Sequence, residues 1–421
     1  MSASDETLAR TSAPVDPRRR IEAVDMVRGF ALFGVLLVNM FNFGAYSIVW
    51  NEPGDEMAFS AMRFFFETKS WRLFSFLFAL GFALQLLRAE ERGTRFLPIY
   101  LRRLIILFLF GAVHSMIYRG DILMHYAELG LLLIFFNKAS LRMLLVLSVS
   151  LLAVFPIGRA VTSLLEPTET APIADYSVHF EAETAWMEDA RQTDVRAVGS
   201  IGEVIAENAK LENPFSGLLG PESSFPVFAM FLLGLYTGRR GIFQDIPKHM
   251  QLIRKVFWWG LPIGLLCMTA ERILNATTGY AVFREQQATW LPQLVGDVIF
   301  VYGSTLLALG YAAGITLLAQ HARGRRLLTP LGAAGRIGLT VYLSGSLMFG
   351  TLFYGFAFGN AFQLGPAAVT GYVVLFFSIQ IVFSVWWTNR FRFGPMEWLW
   401  RALTYLKFPP MKLQERTLGK G

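Results

Sequence analysis

The sequence predicts an all-α fold, a polytopic transmembrane bundle of about ten spans with both termini on the cytoplasmic side. Three observations predict it. Continuous apolar runs near 20 residues long recur along the chain, the length that crosses a hydrocarbon core of about 30 Å. Of the 421 residues 54% are hydrophobic and only 16% charged, against about 25% charged in a soluble domain. The basic residues also sort into alternate connecting loops, as they do around membrane helices. Because the runs are continuous rather than alternating in polarity, a transmembrane β-barrel is excluded.

Residues 1–20 are polar, end in the basic run Arg18-Arg19-Arg20, and are expected to be a disordered cytoplasmic tail. The first span is expected at roughly 28–48. The run after Arg28 is too long for a signal peptide and lacks a small-residue cleavage site, so it reads as a retained helix. Residues 49–70 read as a loop with short amphipathic pieces, and 71–89 as the second span. Spans three and four, roughly 103–119 and 121–136, form a hairpin closed at Gly120. The fifth lies near 141–163. A long acidic loop follows over 164–225, with a surface helix near 178–192. The remaining spans are expected at roughly 225–238 (short, started by Pro226), 254–273, 291–320, 337–358 and 366–388. An amphipathic segment, GPMEWLWRALTY, ends a single membrane domain spanning 21–404, and 405–421 is a cytoplasmic tail.

Ten spans put both termini on one side. Most of the 38 Lys and Arg lie in the terminal segments and in the loops after the second, fourth, sixth and eighth spans. The 164–225 loop on the other side holds twelve Asp and Glu between Glu166 and Glu222, but only Arg191, Arg196 and Lys210 as basic residues. Positive residues favour the cytoplasmic side, which gives an N-in, C-in topology. The net charge of +7 is thereby explained without nucleic acid. One cysteine, Cys267, allows neither an internal disulfide nor a thiolate metal cluster.

Residues 102–130 concentrate ionisable side chains in apolar surroundings, where they are costly and are functional candidates by default. His114 could act as a general base near neutral pH, or could join two helices by a hydrogen bond. Asp121 follows Gly120 and could cap the next helix, orient a histidine, or both. Asp121, His125 and Glu128 fall at i, i+4 and i+7, on one helix face. They could line a polar cavity, relay protons, pair with Arg119 or bind substrate. A metal site needs three or more convergent ligands; only this stripe with His114 offers them, and no metal is expected. Arg95, Arg102 and Arg103 could anchor the inner interface or cradle phosphates, which arginine binds bidentately. His114 stands 11 residues beyond Arg103, about 16 Å along a helix axis. That is comparable with the reach of an extended pantetheine arm. Asp25 and Arg28 are spaced to pair, and Asn39 could bridge helices or touch a ligand. Lys69 and Arg72, beside Trp71, could anchor the outer interface or face an anionic substrate. Arg336 could assist phosphate binding. Glu397, with Trp398, Trp400 and Arg401, suits an interfacial helix closing the bundle.

Several stretches together resemble the YeiB family of bacterial membrane proteins, of the DUF418 type. They are DMVRGFALFGVLLVN from Asp25 to Asn39, FSFLFALGF from Phe74, and GAVH ending at His114, followed by Gly120-Asp121-Ile-Leu. Late in the chain come RIGLTVYL from Arg336 and GPMEWLWR ending at Arg401. The chain departs from the pattern at Val341, where the family often has Asn, and at His125, where it has a small or apolar residue. The family is similar to transmembrane acyltransferases such as the acyltransferase-3 group and heparan-α-glucosaminide N-acetyltransferase. That resemblance implies a bacterial inner-membrane enzyme that moves an acyl group from cytoplasmic acyl-coenzyme A, foremost acetyl-coenzyme A, to a small-molecule, lipid or glycan acceptor outside. In such an enzyme His114, Asp121 and Glu128 would be catalytic. Arg95, Arg102, Arg103 and Arg336 would hold the coenzyme, and Asn39, Lys69, Arg72 and His125 would meet the acceptor. A transporter of a small metabolite or lipid and a non-catalytic membrane scaffold are the alternative readings. The bilayer is the expected partner, with self-association left open.

Overall fold

The computed structural model describes residues 21–43, 53–94, 96–118, 120–165, 194–211, 221–278, 290–361 and 363–413. Among these residues the fold is helical throughout, with one isolated β-bridge between Phe391 and Lys412. The helices are α1 (Glu22–Phe43), α2 (Asp55–Phe65), α3 (Lys69–Glu91), α4 (Phe96–Ser115) and α5 (Leu123–Leu132). A 3-10 turn, Leu133–Phe136, extends α5. They continue as α6 (Leu141–Leu165), α7 (Val195–Val198), α8 (Ile201–Leu211), α9 (Pro221–Arg239) and α10 (Ile246–Thr278). The last five are α11 (Trp290–Ala319), α12 (Ala322–Arg336), α13 (Gly338–Phe353), α14 (Pro366–Thr388) and α15 (Pro395–Tyr405).

Seven of the ten expected spans are long and apolar enough to cross a membrane. The expected fourth and ninth spans form shorter apolar helices, Leu123–Phe136 and Gly338–Phe353. The sixth starts at Pro221 rather than Pro226, which sits inside the helix. Arg95 and the helix expected near 178–192 lie outside the described residues.

Four of the described helices were not foreseen as such: α7 and α8, within the expected 164–225 loop, and two that pack into the bundle. The first of these two is α12, a basic and weakly apolar segment read as a connecting loop. It is helical because it packs against α1 at very short range. A Cβ on Gly29 would strike the backbone oxygen of Leu331, and one on Gly335 would strike that of Asp25. The two glycines let the backbones touch, and tertiary packing supplies the stability that amphipathic propensity alone would not. The second is α2. Its buried Asp55 accepts the Ala367 amide at 2.8 Å and so satisfies an otherwise orphaned donor at the start of α14.

The helix directions give the bundle two distinct ends. At one end lie the starts of α1, α4, α10 and α13 and the finishes of α3, α9, α11 and α14, together with α12 and α15. Arg28, Arg88, Arg102, Arg103, Arg239, Arg336 and Arg401 all sit there, and we call it the basic end. The opposite end carries the α2 segment, the α4–α5 corner, α7 and α8. It is tied by the Tyr354 hydroxyl donating to the Ile117 carbonyl at 2.6 Å and the Asn208 amide donating to the Met116 carbonyl at 3.0 Å.

Candidate functional site

His114 lies one residue before the end of α4, and its carbonyl accepts the amides of Ile117 and Tyr118 at 3.0 and 2.9 Å. The chain then turns, and Asp121 comes back over the last turn of α4. Gly111 makes room for it, since a Cβ there would lie 2.6 Å from Asp121 Oδ2. Asp121 Oδ1 stands 2.7 Å from His114 Nδ1, and Oδ2 accepts the Met124 amide at 2.9 Å. Asp121 therefore caps α5 and orients His114 at the same time.

The pair is dry, with side chains 5% and 1% exposed. An ionised carboxylate only accepts, so opposite it a neutral imidazole carries its hydrogen on Nδ1 and its lone pair on Nε2. Nε2 is buried and has no hydrogen-bond partner among the described residues. A buried polar atom without a partner is uncommon in a native structure and calls for a functional account. Tyr342 on α13 completes the surroundings. Its ring centroid is 5.0 Å from that of His114. Its hydroxyl donates to Asp121 Oδ1 at 3.4 Å and accepts the Ile122 amide at 3.3 Å.

Tyr342 also faces a cavity of about 300 Å³ that reaches the basic end. Near Tyr342 its wall is Leu107, Leu123 and Tyr126; at the other end it holds Arg28, Arg88, Arg103, Arg336 and Arg401 against only Asp25 and Glu397. Five guanidiniums against two carboxylates leave that end of the cavity with an excess of positive charge. Arg28 is held by Asp25 at 2.7 Å and by the Gly335 carbonyl at 3.3 Å. Arg103 lies on the face of Trp400, 3.9 Å from the ring centroid, and is hydrogen-bonded to Tyr405. Arg336 donates to the carbonyls of Thr388 and Arg392 at 3.5 and 3.2 Å.

The α15 helix closes this end from outside the spans. Glu397 accepts the amides of Leu339 and Thr340 at 2.6 and 3.2 Å and the Thr340 hydroxyl at 2.6 Å. It thus caps α13, the helix that carries Tyr342. Burial pushes the Glu397 carboxyl above its ordinary range, and these three donors pull it back.

The expected site residues separate into groups. Arg103 and Arg336 line the cavity, whereas Arg102 points to the Thr404 carbonyl at 3.0 Å and does not. Successive helix residues diverge by about 100°, so the two arginines cannot act as one cradle. Glu128 is buried inside α5, and His125 is half-buried on the same helix. The helical stripe is interrupted, because α5 begins only at Leu123 and Asp121, before it, turns back to α4. Among the described residues no three His, Cys, Asp or Glu side chains converge. Asn39 is buried on α1 with its Nδ2 unpartnered. Lys69 and Arg72 are buried at the start of α3, Arg72 against α11, so they are packed on other helices than His114. Reasoning from sequence assigned no site role to Tyr342, Arg88 or Arg401. The RIGLTVYL and GPMEWLWR stretches were the available signal for two of them.

The fold and the site define a polytopic helical membrane protein with a buried histidine–carboxylate pair beside a basic cavity. The chain is 32% identical to the uncharacterized protein YxaH of Bacillus subtilis strain 168, over 94% of this chain and 97% of that protein. It is 26% identical to the uncharacterized protein YeiB of Escherichia coli K12, over 90% and 95% of the two chains. An uncharacterized 39.9 kDa protein from the amylase 3' region of Bacillus acidopullulyticus is 28% identical over 96% and 99%. The family model described as "Protein of unknown function (DUF418)" matches residues 237–407. The chain belongs to this YeiB-type DUF418 family. The matched region holds Arg336, Tyr342, Glu397 and Arg401, while His114 and Asp121 come from the half before it. No solved structure matches the chain.

Proposed function

We propose that this protein is a transmembrane acyltransferase that uses acyl-coenzyme A, entering at the basic end, to acylate a hydroxyl or amine near the opposite end. One observation carries the reading: the arginine-lined cavity ends on Tyr342, whose hydroxyl is bonded to the carboxylate that orients His114. The distribution of Lys and Arg supports a cytoplasmic basic end. Arg28, Arg103, Arg336 and Arg401 suit the phosphates of the coenzyme, and the apolar wall suits its arm and acyl chain. Acyl-coenzyme A supplies an activated thioester carbonyl.

The residues then have definite tasks. His114 Nε2 takes the proton of the acceptor hydroxyl or amine, so that the acceptor's lone pair forms the new bond to the acyl carbon. Asp121 holds the Nδ1–H tautomer and stabilises the imidazolium that results. As the bond to sulfur breaks, the proton on Nε2 is available to the departing thiolate. General-base catalysis of this kind contributes about 10²–10⁴-fold.

The test is binding and turnover with radiolabelled acetyl-coenzyme A on purified full-length protein in nanodiscs. The expected results are saturable binding by wild type, binding weakened at least tenfold by Arg103→Gln, and turnover lowered about 10²–10⁴-fold by His114→Ala with binding retained. Absence of binding, or solute uptake into vesicles without acyl turnover, would overturn the proposal in favour of a transporter.

A further inference from the structure

Arg72 is a second, separate anomaly. It is 2% exposed in the interior of the bundle, on the second turn of α3. Its Nη1 donates to the Val301 carbonyl at 2.8 Å and to the Thr305 hydroxyl. Both acceptors are neutral. Nε is buried and has no partner among the described residues, and a guanidinium does not discharge itself by losing a proton. A charge buried without a counter-charge is strongly unfavourable.

Its neighbours deepen the imbalance. Lys69, 1% exposed, gives one hydrogen bond, to the Arg63 carbonyl at 3.0 Å, and lies within the field of Arg72, Glu67, Glu271 and Arg272. Glu67 is taken by Arg63 at 3.0 Å, and Glu271 faces Arg272 at 3.9 Å. By residue type the group holds Arg63, Lys69, Arg72 and Arg272 against two carboxylates, a formal excess of two positive charges. Thr68, 3% exposed, contributes a buried hydroxyl that is also unpartnered among the described residues. Residues 68, 69 and 72 share one side of the first turns of α3. Thr68 has φ of 64°, a conformation rare for a β-branched residue and strained unless its surroundings enforce it. The positive end of the α3 dipole adds to the same field.

We propose that Thr68, Lys69 and Arg72 form a binding site for a phosphate-class oxyanion. A hydroxyl, an ammonium and a free guanidinium Nε are all donors, and a tetrahedral oxyanion offers them separate oxygens. A free phosphate or phosphate monoester carries about −1.5 to −2 charges near neutral pH, which matches the excess, and a phosphodiester headgroup with its single charge offsets part of it. The phosphate belongs either to a soluble molecule or to a lipid headgroup. The inference does not depend on acyl transfer, because it rests on different residues and is read by binding.

The experiment uses the full chain purified in phosphate-free buffer with a neutral detergent. In one arm inorganic phosphate is titrated and the thermal midpoint followed, with chloride at equal ionic strength as control. In the other, native mass spectrometry counts the lipids retained from vesicles of phosphatidylglycerol or of digalactosyldiacylglycerol. A soluble source predicts a saturating rise with phosphate, lost in Arg72→Gln and weakened at least tenfold in Lys69→Gln and Thr68→Val. A lipid source predicts one retained phosphatidylglycerol per wild-type chain, lost in Arg72→Gln, and no retained galactolipid. If wild type and these variants respond alike in both arms, the site does not exist. Should Arg72→Gln fail to fold, Thr68→Val and Lys69→Gln decide, and an unchanged response in both refutes the proposal. His114→Ala keeps the binding, so a failure of the acyl-transfer reading would leave this result intact.

Discussion

The most informative single residue is Asp121, because its two oxygens do different jobs. Oδ2 caps α5 and Oδ1 faces His114. Substitutions can separate the two. Asp121→Asn keeps an acceptor for the Met124 amide but removes the charge behind His114. Acyl transfer should fall on the order of 10²–10⁴-fold with little change in thermal midpoint. Asp121→Ala removes the cap as well and should cost about 1 kcal/mol more in stability. Parallel turnover and melting measurements on the two variants distinguish orientation from capping. If both lose stability equally while turnover is unchanged, Asp121 is a cap and nothing else.

At the scale of elements, the decisive contact is between α15 and α13. The first turn of α13 is capped not by its own preceding residue but by Glu397, 57 or 58 residues later in the chain. That contact fixes α13 and therefore Tyr342, one turn further on. Because burial holds the folded Glu397 carboxyl above its ordinary value, the folded chain keeps a proton that the unfolded chain has already released over that interval. The linked stability is fully present below the ordinary carboxylate pKa and is lost as pH rises through the folded value. The thermal midpoint of wild type should fall over that acidic interval, and Glu397→Gln should be flatter there. A wild-type profile that instead climbs would show that the three donors outweigh burial.

At the scale of the whole molecule, the two ends differ in charge, and the charge should set the orientation. A fluorescent protein fused after Gly421 should fold and emit, whereas alkaline phosphatase fused there should be inactive. The phosphatase inserted in the 164–225 loop should be active. Phosphatase activity at the C-terminus would reverse the topology and with it the side from which a coenzyme could enter. The lone Cys267 makes a cysteine-free background a single substitution away for labelling experiments that check the same point.

The helical membrane class was readable from the sequence because hydropathy is a local property: a long apolar run can satisfy its backbone only as a helix in lipid. The α4–α5 corner was readable for a similar reason, since Gly120, Asp121 and His114 lie within one short stretch. What local pattern could not decide was which side chains meet across the bundle. Arg102 and Arg103 looked like one cradle, yet helical divergence sends one to Thr404 and the other to the cavity. The helix α12 looked like a loop, because its stability comes from Gly29 and Gly335 against α1 rather than from its own composition. Tyr342 joins the cavity to the His114–Asp121 pair on a helix that Glu397 caps from a distant part of the chain. The sequence by itself determined the helical, apolar kind of the segments and the sorting of charge along the chain. Only the tertiary structure decided which buried charges are compensated and which, like Arg72, are not, because burial and pairing are properties of contacts between segments far apart in the chain.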